Sequence, residues 1–288
     1  LLHLSPGDPA TVIAGDYASP EDIARIRAQL GLDRPLYIQF TTWIGQLGHG
    51  DLGVSIFSNL PVSQLIMQRI EPTLSLAFFT LTIAIVVAVP VGVLAAWKAG
   101  SWIDRGVMAF SVLGFSTPVF VLGYALIYFF SLKLNFFPVQ GYTSISEGLW
   151  PFLHRLILPS VTLSVIFIAL FARITRASVM EILEEDYIRT ARAKGLSNRT
   201  VLMRHALRNA AVPIITVIGI GFALLIGGVV VTESVFNIPG LGRLTVDAVL
   251  RRDYPVIQGI ILVFSATYVL VNLIIDILYV ALDPRIRY

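Results

Sequence analysis

Four acids followed by six bases fall within residues 181–208: Glu181, Glu184, Glu185 and Asp186, then Arg189, Arg192, Lys194, Arg199, Arg204 and Arg208. A set of this kind makes no covalent chemistry; it recognises a partner through ion pairs and charge-assisted hydrogen bonds. The rest of the chain supplies no catalytic constellation. It has no cysteine, and His3, His49, His154 and His205 are scattered without metal-ligand spacing. No Ser/His/Asp set, paired in-membrane carboxylates or G-x-x-x-x-G-K-[ST] loop occurs, so neither catalysis nor ATP hydrolysis is assigned, and no cofactor is expected.

The order of the charges predicts a helix over about 181–194. Acids at its start and bases at its end complement the macrodipole by roughly 0.3–1 kcal/mol each where exposed. Gly195 can adopt positive φ and stop that helix, and Ser197 can cap a second one. Leu183, Tyr187 and Ala191 recur at i+4 as an apolar stripe, with Ile188 beside it. Two readings compete: a solvated loop that satisfies a charge bias, and a shaped element that docks a soluble partner. Stripe, ordered charges and glycine stop together favour the second.

The elements that hold this segment are apolar. Of 288 residues, 56% are hydrophobic and 14% charged, more apolar surface than a soluble domain can bury. The chain is therefore read as an all-α polytopic membrane protein embedded in a lipid bilayer. The net charge of +3 does not point to nucleic acid, because the bases cluster at the ends of apolar stretches. Five stretches reach the ~20 residues a span needs: 73–97, 106–131, 156–179, 211–235 and 256–281. The opening Leu-Leu-His-Leu-Ser-Pro is expected to be the end of a first span. Twelve Lys and Arg in 98–105, 173–208 and 285–287 oppose five in 132–155 and 237–254, which puts the first set and the C-terminus in the cytoplasm.

Residues 1–70 then form the end of that first span plus an external segment, and 71–288 the membrane domain with a cytoplasmic loop at about 180–210. In the external segment Ser19 is expected to cap a helix opened by Pro20, Glu21 and Asp22 and stopped at Gly31. Pro35 opens a second short helix. Pro61 opens a third, whose stripe of Val62, Leu65, Ile66, Arg69 and Ile70 predicts a helix lying on the membrane surface. Pro90 and Pro118 fall inside spans and are expected to kink them at most. Asp276, only ~9 Å from the end of the last span, is expected to pair with a cytoplasmic-end arginine.

The stretch "DYIRTARAKGLSNRTVLMRHALRNAAVP" resembles the cytoplasmic loop of permease subunits of bacterial peptide-type ABC importers, the dipeptide, oligopeptide and glutathione group with its nickel-transporting relatives. "LSPGDPA", "LGLDRPLYIQF", "GDLGVSI", "VFNIPGLGRL", "RRDYPVIQG" and "DPRIRY" resemble the same family in the same order. The resemblance implies a MetI-like transmembrane fold in the inner membrane. It also implies a second permease subunit, two ATP-binding subunits and an external solute-binding protein. On this basis Asp186, Tyr187, Arg189, Thr190, Ala191, Arg192, Lys194 and Gly195 form the coupling element. Tyr187, Ala191 and Gly195 would pack into a groove of the ATPase, and Arg189, Arg192 and Lys194 would pair with its charges. The general importer signature has Glu-Ala-Ala before its glycine; here Arg189-Thr190-Ala191 stands there, so the motif carboxylate's bridge is not carried over, and Asp186 is the candidate substitute.

Glu233 is a candidate gate residue at the outer end of its span, where an acid reaches water cheaply. Phe236 would be a plug, and Pro239, Gly240 and Gly242 part of a rigid turn. An interfacial acid without a gating role is the alternative. Among whole-chain functions, an ion-coupled secondary transporter would need ionisable residues near the midplane, and spans 73–97, 106–131 and 211–232 contain none. A nickel-type permease of the same family remains the other alternative.

Overall fold

The computed structural model describes residues 9–14, 19–29 and 31–282. The expected end of a first span, the closing "DPRIRY" and Arg285 and Arg287 lie outside the described residues. Helices make up the structure: α1 (Pro9–Ala14), α2 (Pro20–Gln29), α3 (Leu36–Gly48), α4 (Val62–Trp97), α5 (Trp102–Ser116) and α6 (Val119–Lys133) come first. Then follow α7 (Leu149–Leu183), α8 (Asp186–Ala193), α9 (Asn198–Asn209), α10 (Ala211–Val235), α11 (Leu241–Arg251) and α12 (Tyr254–Leu282). The chain divides into two compact units, one of residues 1–71 with 239–266, the other of 72–238 with 267–288.

In the first unit the segment expected outside the membrane folds as its capping residues dictate. The Asp22 N–H donates to Ser19 Oγ at 3.2 Å, and the Ser19 hydroxyl donates to Asp22 Oδ2 at 2.7 Å. This satisfies an orphan donor at the start of α2. Together with Arg25, it holds the Asp22 carboxyl below its usual range, the hydroxyl contact contributing most. Gly31 takes φ +65° and α3 opens after Pro35, as the sequence predicts. The third expected helix does not exist as a separate surface element. Pro61 instead opens the 36-residue α4, which runs on through Pro72 and Pro90. Its apolar stripe is internal: Val62, Leu65 and Ile66 pack with Leu241, Leu244, Ala248, Ile257 and Ile260. A buried acid that motif reading left without a role, Asp253, ties this unit together. It accepts from the Ser55 hydroxyl at 2.6 Å and from the Ile56 N–H at 3.3 Å.

The second unit is organised around α7, which packs against α5, α6 and α10. Of its most apolar 18-residue window 61% is buried, against 39% for α4 and 6% for α12, so α7 is the interior helix and α12 a peripheral one. Phe167, Phe171, Leu163 and Leu156 on α7 meet Leu76 of α4 and Leu225 and Val229 of α10 in the main core. The chains approach closely where glycine leaves room. A Cβ on Gly92 of α4 would lie 2.7 Å from the Ala172 carbonyl oxygen and 2.7 Å from Thr175 Cβ on α7. Gly221 of α10 likewise receives the Phe171 ring.

The expected span at 106–131 is broken rather than kinked. Pro118 does not kink a helix but ends one, and α5 and α6 meet at 102°. Thr117 sits in extended conformation (φ −85°, ψ 121°), the region a following proline favours, and proline's missing N–H ends the ladder. Three helices, α4, α7 and α12, are long and apolar enough to cross a membrane, and up to five spans result if α5–α6 and the 55° pair α9–α10 each count as one. Asp276 is exposed on α12 and makes no ion pair among the described residues.

Replacing Gly92 by Leu is expected to lower stability by about 1–3 kcal/mol through overpacking against α7. Gly106→Leu, at a position with no atom near its Cβ, is expected to cause no loss. Thermal unfolding midpoints of the two purified variants in detergent check the contrast.

Candidate coupling surface and pathway residues

The polar segment 181–208 folds as two short helices joined by a tight turn, but its boundaries differ from the expected helix over 181–194. Helix α7 runs to Leu183, Glu184 caps its C-terminus, and α8 starts only at Asp186. Glu181 therefore lies in the last turn of α7, and Asp186 alone supplies first-turn charge to α8. The reason is apolar: Val179 at 0% and Ile188 at 0% exposure must both reach the interior, which a single straight helix across 184–185 does not allow.

The end of α8 follows the sequence. The Gly195 N–H donates to the Arg192 carbonyl at 2.9 Å and the Leu196 N–H to the Ala191 carbonyl at 3.3 Å, with Gly195 at φ +79°. This is a Schellman motif, and its left-handed residue is glycine because a Cβ would strain it. Ser197 then caps α9, accepting from the Thr200 N–H at 3.3 Å. Inside α9, residues Val201–Ala206 widen into π-helix, and α10 departs after Ala210.

Two faces of α8 separate cleanly. Ile188 and Ala191 are buried with Val201, Ile182 and Leu183 packed around them. Ala191, expected in the partner-facing stripe, thus points inward, because its small side chain lets α8 lie close on α9. Tyr187 is 41% exposed; its hydroxyl accepts from Asn209 Nδ2 at 2.8 Å, fastening α8 to the end of α9. Arg189 pairs with Asp186 at 3.2 Å, both side chains exposed, and the Thr190 hydroxyl donates to the Asp186 carbonyl. Arg192, Lys194, Gly195 and Leu196 are all exposed. The free face of α8 is therefore cationic at its C-terminal end, flanked by Tyr187 and Leu196.

Below it lies a second apolar layer. Val179 of α7, Val93 and Ala96 of α4, and Leu202, Ala206, Ala210 and Ile214 of α9–α10 form one cluster. The small helix α8 is thus seated on α9 and the end of α7, and Ile182 and Leu183 join its cluster to this layer.

The expected gate residues take other positions than a water-facing gate requires. Glu233, expected to reach water, is 0% exposed, and the Thr73 hydroxyl donates to its Oε1 at 2.6 Å. The Glu233 side chain is therefore turned to α4 and away from solvent, while Ser234 beside it is exposed. Phe236 is 2% exposed, and its carbonyl accepts from the Gly141 N–H at 2.9 Å, so its ring fills the core rather than plugging an opening. Pro239 is exposed and Gly240 precedes α11 in extended conformation, but Gly242 belongs to α11 itself. Among the described residues no group of three or more His, Asp or Glu side chains is placed to hold a metal ion.

Residues 88–288 match the family model described as the binding-protein-dependent transport system inner membrane component, and residues 1–77 match its N-terminal companion. The chain belongs to this family. It is 55% identical over 288 residues to a probable peptide ABC transporter permease of Sinorhizobium fredii, covering 100% of this chain and 92% of the relative. It is 47% identical over 287 residues to the glutathione transport system permease of Escherichia coli, covering 100% of this chain and 91% of that one. Its fold is similar to the MetNI methionine ABC transporter in an inward-facing conformation, with TM-score 0.62 and 20% identity over 77% of this chain and 97% of that one. The protein is a multi-pass, non-catalytic permease subunit of an ABC importer, and it works with ATP-binding and substrate-binding partners.

Within this permease, sequence reasoning missed one pair. Arg176, counted only as a positive-inside charge, forms a bidentate ion pair with the buried Asp104 of α5. The available signal was an acid in the first turn of a helix after Ser101, which reads as capping and gives no hint of a partner 72 residues on.

Ala191→Leu is expected to lift α8 from Val201 and expose the 184–196 segment. Trypsin, which cleaves after Arg189, Arg192 and Lys194, is the readout: faster cleavage there than in the parent permease is the expected outcome, and Thr190→Ser serves as the unaffected control.

Proposed function

We propose that this permease carries di- or oligopeptides, a class that includes glutathione, across the bacterial inner membrane. In this reading it pairs with a second, non-identical permease chain, two ATP-binding subunits drive it from below, and an external solute-binding protein delivers the cargo. The carrying observation for the substrate is full-length identity of 47–55% to permeases named for peptide and glutathione transport. An ion-coupled mechanism has no such support. The C-terminus and the α7–α9 segment are cytoplasmic, and residues 5–70 are external. The Lys and Arg asymmetry supports this, with twelve in 98–105, 173–208 and 285–287 against five in 132–155 and 237–254.

Helix α8 is the coupling helix. Its cationic end, Arg192 and Lys194, and the flanking Arg189 pair with acids of the ATP-binding subunit, while exposed Tyr187 and Leu196 supply apolar contact. Asp186 and Thr190 shape the element through their contacts with Arg189 and the backbone. Ala191 and Gly195 act indirectly: one seats the helix, the other ends it. Glu233, with Phe236, Pro239, Gly240 and Gly242 nearby in sequence, belongs to the outer pathway as a buried organiser whose Thr73 contact links α4 to α10.

The absence of cysteine makes topology directly testable. A single cysteine at Arg192 is expected to react with an impermeant maleimide only in inside-out vesicles; labelling from the outside contradicts the orientation. Arg192→Glu with Lys194→Glu is expected to reduce co-purification of the ATP-binding subunit about tenfold or more. Uptake of a radiolabelled dipeptide into proteoliposomes is expected to require both ATP and the external binding protein, and uptake without nucleotide would falsify the proposed mechanism.

A further inference from the structure

Helix α5 begins with an unusually constrained carboxylate. Asp104 has a side chain only 6% exposed, and its partner Arg176 is 22% exposed. Arg176 Nε donates to Oδ1, Arg176 Nη2 donates to Oδ2 at 2.8 Å, and the Gly100 N–H donates to Oδ2 at 2.9 Å. Ser101 caps the same turn, its hydroxyl oxygen accepting from the Asp104 N–H. One buried side chain thus joins the α4–α5 turn, the first turn of α5, and α7.

The place on α7 matters. Arg176 stands about two turns before Leu183, where the helix gives way to the α8 turn. Val179, one turn further on, is part of the layer beneath α9. Elsewhere α5 meets α7 through small apolar contacts, such as Gly114 against Ala169 and Val165. Apolar helix faces of this kind can shear past one another at little cost. A bidentate guanidinium–carboxylate pair cannot, because sliding would leave two charges unpaired in a poorly solvated site.

We propose that Asp104 and Arg176 are positioning residues that lock α5 to α7, so that motion delivered to α7 at its α8 end carries α5 with it. The inference rests on the reading of α8 as the coupling helix. Without the pair, α7 still moves and ATP is still hydrolysed, but α5 and the α6 helix that follows its 102° break lag behind.

The test uses the complete assembled importer in proteoliposomes, and measures substrate moved per ATP hydrolysed. Asp104→Asn is expected to lower that ratio at least about fivefold while hydrolysis stays near the parent rate. A parent-like ratio in the assembled variant overturns the proposal. If Asp104→Asn does not assemble, Arg176→Lys takes its place. It keeps the charge but loses the planar fork; a lowered ratio supports the lock and a parent ratio refutes it. A purely structural role would change the yield of complex and leave the ratio alone. The outcome is separable from that of the coupling-helix reading. Failure of the latter shows as unchanged ATPase co-purification in the α8 charge variants, whereas failure of the lock shows as a parent ratio in complexes that still need those charges.

Discussion

In an apolar medium a backbone N–H has no water to bond, and an unmet one costs several kcal/mol. For a chain as apolar as this permease, that constraint leaves the helix as its regular structure, and everything specific has to be written at helix ends and interruptions. The structure bears the mark of this throughout. Pro118 and the extended Thr117 divide α5 from α6. The turn at Glu184 and Glu185 divides α7 from α8, and Gly195 with Ser197 separates α8 from α9. The polar residues with the clearest geometry, Asp104, Ser101, Ser197 and Glu233, all sit within a turn or so of such a boundary.

The same constraint explains how a small helix can act as a handle. An eight-residue helix alone is marginal in water. Here α8 is held by three independent means: burial of Ile188 and Ala191, the Schellman termination at Gly195, and the Tyr187–Asn209 hydrogen bond. Its seat continues into the layer formed by the ends of α4, α7 and α9–α10. A push on α8 therefore meets a packed interface that transmits displacement, because close-packed side chains cannot be compressed. The Asp104–Arg176 pair adds a bidentate ionic contact between α5 and α7.

Close approach without side chains is the complementary device. Gly92 and Gly221 let α4 and α10 reach α7 at distances a methyl group would forbid. Between helices in lipid there is little hydrophobic driving force, so association depends on such packing and on polar contacts between helices, of which Thr73 to Glu233 is one. The central helix α7 is also the one that bears Arg176 and ends at α8, so packing, electrostatics and the proposed coupling meet on a single element.

How much of this could be read from the residues varies with the range of the interaction. The helical class, the apolar stretches, the cap at Ser19, the stops at Gly31 and Gly195 and the cap at Ser197 are set by contacts within a few residues, so local chemistry determined them. The family motifs mark α8 as the candidate docking element for the same reason: its charges and stop lie in one short run. Other features depend on what a segment meets across the fold. Whether Pro61–Ile70 becomes a surface helix or the start of α4 was decided by Leu241, Leu244 and Ile257 waiting to cover Val62 and Ile66. Pro90 is carried inside α4 whereas Pro118 ends α5, a difference that the two prolines alone do not predict. The inward turn of Ala191, the burial of Glu233 and the pairing of Asp104 with Arg176 likewise join residues many turns apart. Sequence alone determined what each segment is able to form, because backbone bonding and capping are local; tertiary structure alone decided which face is hidden, because burial is a property of neighbours that the chain brings in from afar.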